Sequence, residues 1–296
     1  MLAVLAGLAV AGAPEPRALQ VLPLAAPPSY VPERVYDTRR SAFGDFEAML
    51  ADLSQADAIM VGEQHDDPNT HRLELAILEG LLRRGVPVVL SLEMFERDVQ
   101  PLLDRYLAGE IAEPEFLAGS RPWPRYATDY RPLVELARAR RLRVVAANVP
   151  RRMASDVSKT GLSAIGGGSP DRAFAARDLE CPPSGRYFDR FAEAMGGHQA
   201  ATPNFYYAQC VKDETMGESI AEAAAKSAGR VTIVHMNGAF HSDFSDGAAH
   251  SARRRMPGRR VAVVSVLPVS DLDALQPSAD DLKRADFLVY TVGAKK

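Results

Sequence analysis

An α/β fold, a mainly parallel sheet flanked by helices with an inserted helical lobe, follows from three features of the sequence. Short runs rich in Val, Ile, Leu and Ala recur at 58–62, 87–93, 142–148, 230–236, 259–267 and 287–292, and they are apolar throughout rather than alternating. Runs of this kind fit strands covered on both faces, as parallel strands are. Helical spacings separate the first three runs, which is the βα rhythm of a parallel sheet. The rhythm stops at about 150–229, where helical segments alone lie between Gly- and Pro-rich breaks, and this marks the inserted lobe.

The elements can be taken in order. Residues 1–13 are Leu, Ala, Val and Gly after Met1 and end in Ala11-Gly12-Ala13, which reads as the apolar region and small-residue cleavage site of a signal peptide. Six prolines between Pro14 and Pro32 make 14–33 an extended linker, so one folded domain is expected over 34–296. After the first run, Asp67-Pro68 is a cap-plus-first-turn pair that opens a helix with Leu73, Ile77 and Leu81 on one face. A helical stretch at 96–124, carrying Trp123, follows the second run, and with the 150–229 insertion it is expected to form one lobe over an edge of the sheet. Leu133, Leu136 and Ala137 give the apolar side of an Arg-rich helix before the third run. The last three runs close the domain.

Composition excludes several classes of function. The balance of 35 Lys and Arg against 38 Asp and Glu gives a net charge of −3, which lacks the basic field of a nucleic-acid binder. The apolar start is too short to span a bilayer. The two cysteines, Cys181 and Cys210, exclude a four-cysteine metal site, and they are either paired or two separate buried thiols.

The chemistry is expected where the strands end, because parallel strands deliver their carboxyl ends to one edge and ligands bind in the crevice there. The first four runs deliver Glu63 and His65, then Glu93, then Asn148 and Arg151, then His241. The first and fourth end alike, in Gly-x-x-His (Gly62 to His65, Gly238 to His241), where glycine would let the backbone turn the histidine back across the edge. Glu93 closes a wholly apolar run, so its charge needs a partner: His65, His241, Arg151 or a cation. Glu63, His65, Glu93 and His241 suit a Zn, Mn or Fe ion, and equally a general base with an orienting carboxylate. Asn148 or Arg151 would then steady a developing oxyanion. His71 and Glu74, at i and i+3, read as an exposed helical pair. His198, Tyr206, Tyr207 and Met216 in the lobe would grip a flat apolar ligand such as a porphyrin, or else are core.

These motifs together resemble the ChaN-like haem-binding uptake family. The residues that carry the likeness are Val61-Gly62-Glu63-Gln64-His65-Asp66 with His71, Leu92-Glu93-Met94-Phe95-Glu96-Arg97 with Gln100, Ala147-Asn148-Val149-Pro150-Arg151, and Ala208-Gln209-Cys210-Val211-Lys212-Asp213-Glu214-Thr215-Met216. The paired Gly-x-x-His motifs are those of the wider Tiki superfamily, and the likeness spans about 34–270. It implies an extracytoplasmic protein that binds haem, in one relative as a stacked pair between two subunits through tyrosine. Haem, with Tyr206, Tyr207 and His198 as binding residues, and a homodimer are therefore expected. Tiki proteins and erythromycin esterases instead use the sheet-edge His and Glu for hydrolysis, the former with a divalent metal. That implies a hydrolase of peptide, ester or amide bonds built on Glu63, His65, Glu93, Arg151 and His241, with a small molecule or peptide as ligand. The sequence departs from the family's lipoprotein pattern in having no cysteine near its start, which leaves a periplasmic or secreted location.

Overall fold

The computed structural model describes residues 31–166, 168, 170–197 and 203–293, so the apolar start, most of the linker and His198 lie outside the described residues. The elements in chain order are β1 (Glu33–Asp37), β2 (Ala42–Gly44), α1 (Phe46–Leu53), β3 (Ala58–Glu63), α2 (Pro68–Arg83), β4 (Val88–Glu96), α3 (Gln100–Leu107), α4 (Glu113–Ser120), α5 (Tyr126–Asp129) and α6 (Arg131–Arg140). They continue with β5 (Val144–Asn148), α7 (Arg151–Thr160), α8 (Arg186–Ala194), α9 (Pro203–Ala225), β6 (Thr232–Gly238), α10 (Gly247–Arg255), β7 (Val261–Val269) and β8 (Phe287–Val292).

All eight strands form one sheet in the order β2-β1-β8-β7-β3-β6-β4-β5, parallel from β8 to β5. Six of these strands are the six apolar runs. β1 and β2 are antiparallel additions at the β8 edge, and Glu33, assigned to the linker from sequence, already belongs to β1. The order matters for function: β6 returns from the insertion to lie between β3 and β4, pairing Glu63 with Gly238. Both Gly-x-x-His motifs therefore sit side by side, with Glu93 on the next strand.

Side chains alternate across a strand, so odd and even residues feed two cores. Ile59, Val61, Leu90 and Leu92 face Leu50, Ile77, Leu103, Phe116 and Leu133 of α1 to α6. Ala58, Met60, Val89 and Val145 face Met216, Ile220, Ala248 and Ala252 of α9 and α10. The expectation of one lobe made from 96–124 and 150–229 is thus corrected: α3 and α4 cover one face of the sheet and α9 the other, because their contacts fall on opposite parities of the same strands. The close α9–α10 crossing requires Gly217, where a Cβ would lie 2.2 Å from Ser251 Oγ and 2.8 Å from the Ala252 amide.

Two further parts of the lobe complete the crevice. Met153 and Val157 of α7 pack on Ala208 and Val211 of α9. Phe191 and Ala192 of α8 pack on Tyr206 and Cys210 of the same helix. Of the two readings of the cysteines, the structure takes the paired one: Cys181, ahead of α8, is bonded to Cys210 in α9 across a Cα–Cα distance of 5.7 Å.

Candidate functional site

At the carboxyl edge of β3, β6, β4 and β5 lies a crevice of about 600 Å³ lined by Glu63, His65, Glu93, Asn148, Arg151 and His241. The structure brings these six together from sequence positions almost 180 apart. Trp123, Phe191, Met195 and Phe240 supply its apolar walls. Lys212 and Arg151 also reach it, and among the described residues neither has an ion-pair partner. Asn148 turns inward, its Oδ1 accepting from the Val149 N–H at 2.9 Å, so its side-chain oxygen orders the backbone rather than pointing to a ligand.

The two glycines are needed for space, which corrects the expectation that they serve a sharp turn. Gly238 has φ −56°, open to any residue, but a Cβ there would stand 2.7 Å from His65 Nε2. A Cβ on Gly62 would stand 3.0 Å from Ala239 Cα and 3.1 Å from Ser242 Oγ. Each motif's glycine makes room for the other motif's side chain or backbone, so the two interlock.

The acidic and basic side chains sort into two networks. In the first, Glu63 is fully buried at the end of β3 and its Oε1 accepts from His65 Nδ1 and, at 3.0 Å, from Tyr130 OH. Burial would raise the Glu63 pKa, but hydrogen bonds from His65 and His71 outweigh it and hold it at about 2. His65 leans edge-on against Trp123 with ring centroids 5.2 Å apart, and half of its side chain is exposed to the crevice. Its own pKa is raised, chiefly by the bond to Glu63.

In the second network, Glu93 Oε2 accepts from the Gly238 N–H at 2.8 Å and Oε1 meets His241 Nε2 at 3.1 Å. His241 Nδ1 meets Asp213 Oδ1 at 2.6 Å, and Asp213 Oδ2 accepts from Tyr187 OH at 2.6 Å. Burial would favour neutral His241, but the charges of Glu93 and Asp213 raise its pKa to about 10. Glu93 is likewise pushed up by burial and pulled down further by His241, to about 2. His241 is thus an imidazolium clamped between two carboxylates. Beneath it His235, bonded to Ser91 Oγ at 2.9 Å, is kept neutral by burial, with its pKa lowered to about 4.

The separation into two networks bears on the proposed four-ligand metal set. Both oxygens of Glu93, both nitrogens of His241 and Oε1 of Glu63 are already committed to one another or to protein donors. These four residues do not fit a common ion. Among the described residues, one group does bring three such donors within 4.8 Å of one another, and it lies behind the crevice: Glu63, His71 and Glu74. His71 and Glu74 are therefore not an exposed pair. Both are buried, because 71, 74 and 78 form a helical stripe beside the apolar stripe of 73, 77 and 81.

Other expectations fare differently. Tyr206 is buried among Tyr187, Phe188 and Phe191, with centroids 5.9, 5.0 and 5.8 Å away, and Met216 is core, so neither is an exposed gripping residue. Tyr207 is half-buried in the same cluster, and neither tyrosine lines the crevice. Asp213, Tyr130 and Tyr187 are site residues that sequence reasoning did not single out. Asp213 lay inside a recognised motif but on a helix, where nothing in the pattern marks one acid among several.

The family model for haem-binding uptake proteins of the Tiki superfamily, ChaN, matches residues 49–251. The chain belongs to this family. A ChaN of Campylobacter jejuni, solved with cofacially bound haem, superposes with a TM-score of 0.63 at 16% identity, covering 88% of this chain and 97% of that one. That likeness shows the fold the two share. The chloroplastic protein RETICULATA-RELATED 5 of Arabidopsis thaliana is 24% identical over 88% of this chain, which spans only 38% of the plant protein's length. The C-terminal region of Pasteurella multocida toxin, described with a thiol-protease-like catalytic triad, is more distant: TM-score 0.43, 10% identity, 86% of this chain and 28% of that one. Among the described residues of this ChaN-family protein, no helix is long and apolar enough to cross a membrane.

Proposed function

We propose that this ChaN-family protein binds haem, or a similar flat anionic tetrapyrrole, in the sheet-edge crevice, outside the cytoplasm. The observation that carries the reading is His65. Its Nδ1 is held by buried Glu63, its Nε2 faces the crevice side of Gly238 without a hydrogen-bond partner, and half of the ring is exposed. A histidine whose other ring nitrogen is fixed by a carboxylate is the arrangement that makes imidazole a strong iron ligand. The residues around it suit the rest of such a ligand. Trp123, Phe191, Met195 and Phe240 offer apolar contact to a ring, and Arg151 and Lys212 offer uncommitted charge to its carboxylates. A volume of about 600 Å³ is in the range of pockets for ligands of that size. The Cys181–Cys210 bond supports an oxidising compartment, periplasmic or secreted.

Hemin titrated into the purified protein should give a saturable Soret shift at one equivalent. His65→Ala should remove it, and Tyr206→Phe, altering a buried ring, should leave it in place. A Soret shift unchanged in His65→Ala would overturn the assignment.

One observation favours a second, hydrolytic reading on the same edge: the Glu93–His241–Asp213 chain opens onto the crevice, an acid–base device that haem binding alone does not require. In it His65 would take a proton from a water attacking the scissile carbonyl and return it to the leaving group, with the charges of the Glu93–His241–Asp213 chain beside its ring. Turnover of a panel of nitrophenyl esters and short peptides should then fall at least 10²-fold in Glu93→Gln, with hemin binding retained. Absence of any turnover by the wild-type protein across that panel would dispose of it.

A further inference from the structure

The cluster behind the crevice has a composition the haem reading does not use. His71 Nδ1 lies 3.2 Å from Glu63 Oε2 and 3.1 Å from Glu74 Oε2, and all three side chains are at most 3% exposed. Glu74 Oε1 is buried with no hydrogen-bond donor, and Glu63 Oε2 has only His71 Nδ1 beside it, which Glu74 Oε2 also claims, so the cluster holds more acceptors than the protein can satisfy. On the other side of the ring, His71 Nε2 lies 3.3 Å from Asp129 Oδ2 and 3.2 Å from the His65 carbonyl oxygen, which fixes that nitrogen as the donor. Nδ1 then faces the two carboxylates, and the proton it shares with them occupies the place an ion would take.

That is the layout of a metal-ligating histidine: one nitrogen toward the ion, the other donated to a carboxylate or carbonyl behind it. The spacing agrees. With metal–ligand bonds of about 2.1 Å, adjacent donors stand roughly 3.0 Å apart at right angles and about 3.4 Å apart at the tetrahedral angle. The two observed separations fall in that interval. Tyr130, edge-on to His71 at 5.1 Å, closes the site from the side and spends its hydroxyl on Glu63 Oε1.

We propose that Glu63, His71 and Glu74 bind one divalent first-row cation, with Asp129 orienting His71 from behind. Two carboxylates and one imidazole make a donor set of intermediate hardness, suited to Mn²⁺ or Zn²⁺. Glu63 joins this site to the crevice, giving one oxygen to the ion and the other to His65. The proposal stands apart from haem binding, since it uses a face of Glu63 and residues of α2 that the crevice does not expose.

The test uses the full chain, stripped with a chelator and titrated with Mn²⁺ alone. Free Mn²⁺ followed by its solution electron paramagnetic resonance should show one ion bound per chain, and pulsed spectra of the bound ion should carry coupling to one imidazole nitrogen. Glu74→Gln should weaken binding at least tenfold, and Zn²⁺ should compete. Glu93→Gln should leave binding unchanged, which distinguishes this site from one in the crevice. If Glu74→Gln does not fold, Asp129→Asn takes its place, with the same tenfold loss expected from a disoriented histidine. Failure of the wild-type chain to bind Mn²⁺, absence of nitrogen coupling, or equal binding by wild type and the folded variant would each overturn the proposal. Hemin titration of the same stripped preparation reports on the haem reading separately.

Discussion

Replacing His241 with alanine should lower the free energy of unfolding at pH 6 by about 3–5 kcal/mol, the range seen when one partner of a buried ion pair is deleted. Two carboxylates, Glu93 and Asp213, share this imidazolium, and both are buried. Removing it leaves two like charges in a low dielectric with the Gly238 amide and Tyr187 hydroxyl as their remaining donors. The effect carries a pH signature. His241, raised from 6.5 to about 10, contributes fully below pH 6.5 and loses that contribution as pH rises through 10. Glu93, lowered from 4.5 to about 2, contributes fully above pH 4.5 and loses it as pH falls through 2. The gap between wild type and variant should therefore be widest between pH 4.5 and 6.5 and close on either side. Adding Asp213→Asn to the variant should recover part of the loss, because one of the two orphaned charges is gone. Urea unfolding across that range checks all three statements. A cost below about 1 kcal/mol, or one independent of pH, would mean that the network carries no net charge coupling.

The fold was legible where burial on both faces left no ambiguity. The six runs are apolar at most positions on both faces because helices cover both sides of the sheet, and they mark β3 to β8. β1 and β2 escaped because they are antiparallel strands at one end of the sheet whose sequences, Glu33-Arg34-Val35-Tyr36-Asp37 and Ala42-Phe43-Gly44, bury little beyond Val35 and Asp37. The sheet order was not legible at all: nothing in a sequence says that the fourth run returns between the first and second. Yet that return is what places Gly238 against His65 and Glu93 against His241.

The site was half legible for a related reason. Residues that end strands can be gathered by the rule that parallel strands share a carboxyl edge, so Glu63, His65, Glu93, Asn148, Arg151 and His241 could be named together. Residues that reach the site from helices cannot. Asp213 on α9 and Tyr130 ahead of α6 depend on how those helices dock, which for α9 is decided by contacts such as Gly217 on Ser251. His71 and Glu74 were misplaced because charged side chains at i and i+3 are usually solvated. The burial of His71 is stabilised by Glu63, Asp129 and the His65 carbonyl, which belong to other elements, and Glu74 is buried with it through His71. Tyr206 illustrates the converse: an aromatic in a polar-looking helix is core once α8 folds over it.

That dependence on α8 makes the disulfide the second large lever. Cys181 and Cys210 are 29 residues apart in sequence, and loop-closure entropy for such a loop amounts to about 3–4 kcal/mol. What it secures is local. α8 packs on the rest of the protein through the Phe191, Ala192, Tyr206 and Cys210 cluster, and from there it lends Phe191 and Met195 to the crevice wall and Tyr187, in its first turn, to Asp213. The double substitution Cys181→Ser, Cys210→Ser should therefore act on this segment before it acts on the sheet. Amide exchange over 186–194 is expected to speed up by roughly 10²-fold, the equivalent of about 3 kcal/mol of local opening, while β3 and β6 exchange as before. Wild-type protein in reductant should match the unreduced double variant. Hemin affinity should fall in both, because one wall of the crevice becomes mobile while His65, Glu63 and Trp123 keep their places on the other side. Uniform acceleration across the whole sheet would show instead that the bond stabilises the domain globally, and unchanged exchange over 186–194 would show that the aromatic packing of α8 suffices without it.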